Sequence, residues 1–126
     1  MKSRWGNALV VVLVLGASLL ALSCKGKSNP AGPGTPADLT IDIVGQLQSN
    51  SYSPASPTVA LGQTVSWHNT DNMTHSSTEN NIQLWDTQAI GPGATSAPIH
   101  MNTAGTFPYH CAYHPNTMAG TLTVTP

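Results

Sequence analysis

Short β-rich runs separated by turn residues fill the chain from Asp38 to Pro126, and this pattern constrains the fold more than any other feature. Leu39–Ile43 and Thr64–Asn69 alternate apolar and polar residues, as half-buried strands do. Gly, Pro, Asn and Asp separate these runs, and no convincing helical period is present. The pattern predicts an all-β sandwich that occupies residues 38–126.

Five more stretches are predicted to be strands, and residues 79–89 are predicted to be irregular or to hold one short strand. The five stretches are 58–61, 73–78, 94–101, 106–111 and 120–125. Leu122 and Val124 should face inward, and Trp67, Phe107 and Trp85 should be core residues. We expect the three histidines at other positions to lie on the surface: His68, His100 and His110.

Charge is distributed unevenly along the chain. Its four basic residues all lie within the first 27 positions, whereas all five acidic residues follow residue 37. Residues 38–126 therefore carry five acids, no Lys and no Arg, a formal charge of −5 with neutral histidines. Proteins that bind nucleic acids need Lys and Arg to neutralise phosphates, so no nucleic-acid partner is expected.

The N-terminus is predicted to be a secretory signal over residues 1–23. Lys2 and Arg4 precede an apolar run over residues 8–22, which is short for a membrane span of about 20 residues. The run ends in LALSC, which resembles the lipobox of bacterial lipoproteins, and this resemblance implies that Cys24 is lipidated. Residues 24–37 are rich in Pro and Gly and are predicted to form a tether between the lipid anchor and the domain.

Three potential metal ligands lie within one short predicted loop: Cys111, His114 and Met118. A thiolate, an imidazole and a thioether are soft or borderline ligands that suit copper better than magnesium or calcium. A second imidazole must come from elsewhere in the sandwich, and His75 follows a turn from which it could reach the loop. Two histidines, one cysteine and a weak axial methionine are the ligands of a blue-copper electron-transfer site.

Other uses of these residues remain open on spacing alone. Cysteine and histidine also bind zinc, although structural zinc sites usually take two or more cysteines or a close histidine pair. Cysteine and histidine can form a nucleophilic pair, but no orienting partner or oxyanion-binding feature is evident. A metal-free sandwich with an unpaired thiol is a third alternative. The donor types favour copper.

Three ordered segments resemble the plastocyanin, amicyanin and pseudoazurin group of cupredoxins. Residues 67–76, WHNTDNMTHS, are similar to the group's Trp-x-Asn-x-Asp…His segment. Residues 105–115, GTFPYHCAYHP, resemble its final strand and ligand loop, and residues 118–124, MAGTLTV, resemble its axial methionine and last strand. Three residues separate His114 from Met118, a spacing between the shorter amicyanin-like and the longer plastocyanin-like loops.

The cupredoxin resemblance implies a Greek-key sandwich with one mononuclear type 1 copper held by His75, Cys111, His114 and Met118. It also implies supporting residues around the ligands. The backbone N–H of Ser76 should donate to the sulfur, and Asn69 should support the ligand segments. Pro115 should influence whether His114 leaves reduced copper at low pH. The predicted electron exit and docking residues are His114, Tyr113 and Pro115.

The expected function is electron transfer by an exported, lipid-anchored protein on the periplasmic or extracellular side of a membrane. Its expected partners are redox proteins, either cytochromes or copper proteins, that dock weakly and transiently. The alternative is a copper carrier or storage lipoprotein, although the chain lacks the Met- and His-rich cluster that such proteins often use. An enzyme is not expected, because copper oxidases need a second copper site and a longer chain.

Overall fold

Eight β-strands form the regular structure of residues 36–126, the part of the chain that the computed structural model describes. The strands are β1 (Leu39–Ile43), β2 (Tyr52–Ser53), β3 (Thr58–Ala60), β4 (Thr64–Asn69), β5 (Thr78–Glu79), β6 (Ile99–His100), β7 (Gly105–His110) and β8 (Ala119–Thr125). This described part has no helix that could cross a membrane. The predicted signal 1–23, lipidation of Cys24 and nearly all of the tether 24–37 lie outside the described residues.

The strands form two four-stranded sheets with the orders β2-β1-β4-β6 and β3-β8-β7-β5. The pairs β1–β4 and β3–β8 are parallel, and the other pairs are antiparallel, so both sheets are mixed. The chain passes repeatedly from one sheet to the other, as it does in Greek-key sandwiches. The predicted all-β Greek-key fold is confirmed.

The core lies between the sheets and is rich in aromatic side chains. Trp67 of β4 is fully buried and stacks on Trp85 with a ring-centroid distance of 5.7 Å. Tyr109 of β7 meets the Trp67 ring edge to face at 5.9 Å. Leu122 and Val124 alternate with more exposed threonines along β8, as the sequence pattern predicts. The predicted core positions of Trp67, Trp85 and Phe107 are confirmed.

Two predicted strands are much shorter in the structure. The strand predicted over 73–78 overlaps β5 only at Thr78, because side chains accept two of the backbone N–H groups that would pair a strand. Ser76 N–H donates to the Cys111 sulfur and Ser77 N–H donates to Thr87 Oγ1. The strand predicted over 94–101 is reduced to β6, since Pro98 has no N–H to donate. β2, which pairs with β1, was not predicted.

The three histidines expected on the surface are exposed or partly exposed. His68 is partly exposed and its Nδ1 lies 3.1 Å from Asp42 Oδ1. His100 is exposed, and the partly exposed His110 ring bonds to the Asn80 side chain. This prediction is confirmed.

Candidate metal centre

Three potential metal ligands converge at one end of the sandwich: His75, Cys111 and His114. Cys111 Sγ lies 3.7 Å from Nδ1 of His75 and 3.7 Å from Nδ1 of His114. The two Nδ1 atoms are 3.2 Å apart. The structure therefore brings together three of the four predicted ligands around one point, although two of them are more than 35 residues apart in sequence.

The loop between β7 and β8 positions Cys111 and His114. Cys111 directly follows β7, which places its side chain in the core, where it is fully buried. The chain then turns tightly: His114 N–H donates to Cys111 O over 3.1 Å, and Thr117 N–H donates to His114 O over 3.1 Å. These bonds fold the two side chains toward each other from only three positions apart in the sequence.

Met118 closes the same loop immediately before β8 begins. It is buried in the core cluster that contains Cys111. Its neighbours in sequence are held by Gln48: Gln48 N–H donates to Thr117 O over 2.9 Å, and Ala119 N–H donates to Gln48 O over 3.1 Å. A segment that precedes β2 therefore holds the backbone on both sides of the methionine.

His75 reaches the site from the segment between β4 and β5. Its backbone forms two hydrogen bonds with Ile90, at 3.1 Å and 2.8 Å, and its side chain is fully buried. Asn69, at the end of β4, is buried behind this segment. Its amide Nδ2 donates to Met73 O over 2.6 Å and to Ile90 O over 2.8 Å. Asn69 thus ties together both chain segments that hold His75.

Ser76 bonds to the cysteine loop through two different groups. Its backbone N–H lies 3.3 Å from Cys111 Sγ, and its Oγ accepts from Ala112 N–H over 2.9 Å. The Tyr52 hydroxyl donates to Ser76 O over 2.7 Å. Burial raises the pKa of Tyr52 well above its ordinary value.

Asp71 also lies beside the centre; the sequence placed it within the segment similar to Trp-x-Asn-x-Asp…His but gave it no role of its own. Its Oδ2 lies 2.8 Å from His75 Nε2, on the opposite side of the ring from Cys111. Hydrogen bonds from His75 and from Asn72 N–H hold the pKa of Asp71 below its ordinary value. Its position four residues before a predicted histidine ligand was a signal that could have identified it.

The surface around the centre is apolar and lacks cations. Tyr113 is 53% exposed, Pro115 is exposed and His114 is partly exposed. The predicted docking residues therefore lie next to one another in the sequence and all reach solvent. No Lys or Arg occurs after residue 27, so no basic side chain from residues 36–126 surrounds them.

The geometry and chemistry of these donors fit a single copper ion. First-row ions bind nitrogen and sulfur at about 2.0–2.3 Å, so two ligands of one ion can be separated by up to about 4.3 Å. All three measured separations are shorter than this limit. If both Nδ1 atoms carried protons, two N–H groups would face each other, whereas deprotonated nitrogens around a cation avoid that conflict. One thiolate with two imidazoles is the equatorial set of type 1 copper.

The fold and the centre together define the class of the protein: a small β-sandwich with a type 1 copper ligand set. The chain belongs to the family of the cupredoxin-like domain, whose family model matches residues 11–124. The resemblance to cupredoxins is thereby confirmed. No curated protein shows significant similarity to this chain.

Several solved structures share the fold. A purple cupredoxin from Nitrosopumilus maritimus has 25% identity and a TM-score of 0.59, and the match covers 70% of this chain and 100% of that chain. A reduced tryptophan-to-tyrosine variant of amicyanin has 23% identity and a TM-score of 0.62, over 73% and 86% of the two chains. A copper-containing nitrite reductase from Thermus scotoductus SA-01 has 24% identity and a TM-score of 0.61. That match covers 74% of this chain but 23% of the reductase.

Proposed function

We propose that this protein is an electron carrier that binds one copper ion through His75, Cys111, His114 and Met118. The observation that carries the proposal is the convergence of the Cys111 sulfur and two imidazole nitrogens, 3.2–3.7 Å apart, in a cupredoxin fold. When bound, copper supplies a one-electron couple between Cu(II) and Cu(I). The buried Met118 thioether is the weak axial ligand in this proposal.

Cys111 binds as a thiolate, because the thiolate is the form of cysteine that ligates metals. A buried anion is costly unless it is paired or hydrogen-bonded. The Ser76 N–H donates to this sulfur, and the two imidazoles face it, so the centre meets that requirement when a cation is bound. The hydrogen bond from Ser76 also withdraws charge from the sulfur, which adjusts the reduction potential.

The protein holds its ligands through connections between separate strands. His75 is held by Ile90, Cys111 by Ser76, and the backbone around Met118 by Gln48. Such cross-links limit the movement of ligands when the charge of the bound ion changes. A centre that rearranges little during electron transfer needs little reorganisation free energy, which suits a carrier better than an enzyme.

Electrons enter and leave through His114 in this proposal, because it is the ligand with a partly exposed side chain among the three clustered residues. Tyr113 and Pro115 form an apolar surface beside it. The partner is a redox protein, a cytochrome or a copper protein, that docks weakly and transiently on this surface. Pro115 limits the freedom of the loop next to His114, and so affects whether this ligand leaves reduced copper in acid.

Export and membrane attachment form a separate part of the proposal, supported by the sequence alone. Residues 1–23 direct export, Cys24 carries a lipid, and residues 24–37 tether a domain formed by residues 38–126. The protein then lies on the periplasmic or extracellular face of a membrane. The domain contains no Lys or Arg, so no nucleic-acid partner is expected there.

We propose no enzymatic role, since the described residues contain one cluster of metal ligands and Met118 leaves that cluster without an obvious open position. Copper transport or storage without electron transfer is the alternative function. A colourless protein that delivers its copper to an acceptor would favour this alternative, whereas a coloured centre that cycles reversibly favours the electron carrier.

The deciding experiment compares the copper-loaded parent with two single-cysteine variants. The parent should show a strong thiolate-to-copper absorption band, a type 1 EPR signal and a reversible one-electron couple. Cys111→Ser should lose all three, because it removes the thiolate. Cys24→Ser is the matched control and should keep all three, since Cys24 lies outside the proposed centre. An intact band in Cys111→Ser would overturn the proposed ligand set.

A further inference from the structure

A hydrogen bond joins Asp71 to the far side of His75. Asp71 Oδ2 and His75 Nε2 are 2.8 Å apart, while His75 Nδ1 faces the Cys111 sulfur at 3.7 Å. From this geometry we infer that Asp71 is a positioning residue for the metal centre, which holds His75 in the ligating tautomer and lowers the reduction potential. The inference rests on the proposed copper-binding function.

The two ring nitrogens of His75 have different partners, and this difference determines the tautomer. A neutral imidazole carries one proton, on either Nδ1 or Nε2. The Asp71 carboxylate only accepts, so it favours the proton on Nε2 and leaves the Nδ1 lone pair free for a metal. Histidine ligands of metals commonly donate their second N–H to a carboxylate in this way.

Asp71 is itself held in place by the turn that follows β4. Its backbone N–H donates to Asn69 Oδ1 over 3.0 Å, and its Oδ1 accepts from Asn72 N–H over 2.7 Å. Gly45 lies on another side of the carboxylate: a Cβ at this glycine would be 3.5 Å from Oδ2. The carboxylate therefore has a fixed position from which its second oxygen accepts from His75.

The hydrogen bond is shielded from water, so the charge of Asp71 acts strongly on His75. The His75 side chain is fully buried, and the Asp71 side chain is 23% exposed. Charge interactions strengthen as water is excluded. Because Cu(II) carries one more positive charge than Cu(I), a nearby anion stabilises the oxidised form more and lowers the reduction potential.

His114 differs from His75 in the partners of its ring nitrogens. Within residues 36–126, the contacts of the His114 ring at hydrogen-bond distance involve Nδ1, toward Cys111 and His75. Its ring is partly exposed, whereas the His75 ring is buried and bonded on both edges. The carboxylate thus hydrogen-bonds to one histidine of the pair, the one that is more deeply buried.

The test measures the reduction potential of the copper-loaded full chain in Asp71→Asn and in a matched control. Asp71→Asn keeps the shape of the side chain and removes its charge, so the potential should rise. A tenfold shift in the preference for Cu(II) over Cu(I) corresponds to about 59 mV. Asp42→Asn removes the same charge from the exposed pair with His68, 3.1 Å apart, and should leave the potential unchanged.

Asp71→Glu should restore part of the effect, since it retains the charge. If Asp71→Asn and Asp42→Asn have the same reduction potential, the inference is overturned. The proposed function would still be supported by a parent protein that is coloured and cycles reversibly. A parent that binds no copper would refute both. If Asp71→Asn does not fold, NMR of the metal-free parent decides the matter, because a metal bound to Nδ1 would itself force the proton onto Nε2. A slowly exchanging proton on His75 Nε2 would support the inference, and a proton on Nδ1 would refute it.

Discussion

The backbone N–H of Ser76 donates a hydrogen bond to Cys111 Sγ over 3.3 Å, although 35 positions separate the two residues. The same serine accepts from Ala112 N–H through its side chain. One residue therefore contacts the cysteine loop through both a backbone donor and a side-chain acceptor. The second of these contacts can be removed by substitution without disturbing the first.

Ser76→Ala should destabilise the protein by about 1 kcal/mol, the usual net contribution of one hydrogen bond. The substitution removes the acceptor for Ala112 N–H and keeps the backbone N–H that bonds to the sulfur. Urea unfolding followed by tryptophan fluorescence measures the loss. Ser56→Ala, at an exposed position, is the control and should change stability by less than about 0.5 kcal/mol. Equal stabilities for the two variants would argue against a role for this bond.

Met118→Gln should alter the absorption and EPR spectra of the copper-loaded protein, because it replaces a weak thioether ligand with an amide. The axial ligand tunes the potential of blue-copper sites, so the reduction potential should change as well. Met73→Gln is the matched control: Met73 is 44% exposed and its substitution should leave the spectra unchanged. Unaltered spectra in Met118→Gln would refute the axial assignment.

Gly120→Ala should destabilise the fold by about 1–3 kcal/mol, the typical cost of overpacking a core. Gly120 pairs with Tyr109 across β7 and β8, and an added Cβ would overlap the buried Tyr109 ring. Thermal unfolding monitored by circular dichroism measures the effect. Gly91→Ala provides the comparison, because no atom beyond its two chain neighbours lies within 4 Å of the position of its added Cβ. A Gly120→Ala melting temperature equal to that of Gly91→Ala would show that the ring moves freely.

Glu79 should stabilise the fold near neutral pH, and this stabilisation should be lost as the pH falls below about 4.5. Burial raises the pKa of this carboxyl, but backbone N–H groups of Asn81, Ile82 and Leu84 outweigh burial and lower it overall. A group with a lowered pKa in the folded state stabilises the protein above its unfolded pKa, and that contribution is lost as the pH falls through the folded pKa. Urea unfolding of parent and Glu79→Gln at neutral and acidic pH tests this.

The difference in stability between parent and Glu79→Gln should be largest near neutral pH and should shrink in acid, with both proteins in the same metal state. Asp42→Asn serves as a control for removing one negative charge from the domain. A stability difference for Glu79→Gln that is independent of pH would contradict the assignment.

Strands whose side chains alternate were predicted with accurate ends, and Leu39–Ile43 and Thr64–Asn69 match β1 and β4. The ends of segments that bond mainly through side chains were not predicted accurately. Ser77 N–H pairs with the Thr87 side chain, and Trp85 donates through Nε1 to Ser77 Oγ over 2.9 Å. Such contacts depend on which segments meet in space, and periodicity along the chain carries no information about them.

By itself, the sequence determined the class of fold and the identity of the donors, because alternation with period two reports burial and because Cys, His and Met donors reveal the preferred metal. Cys111 and His114 are only three positions apart in the sequence, and a tight loop joins them. Only the tertiary structure decided how His75 meets them and that Asp71 bonds to its far side. The reason is physical: a hydrogen bond between side chains requires positions and orientations within a few tenths of an ångström. The packing of the two sheets sets those positions.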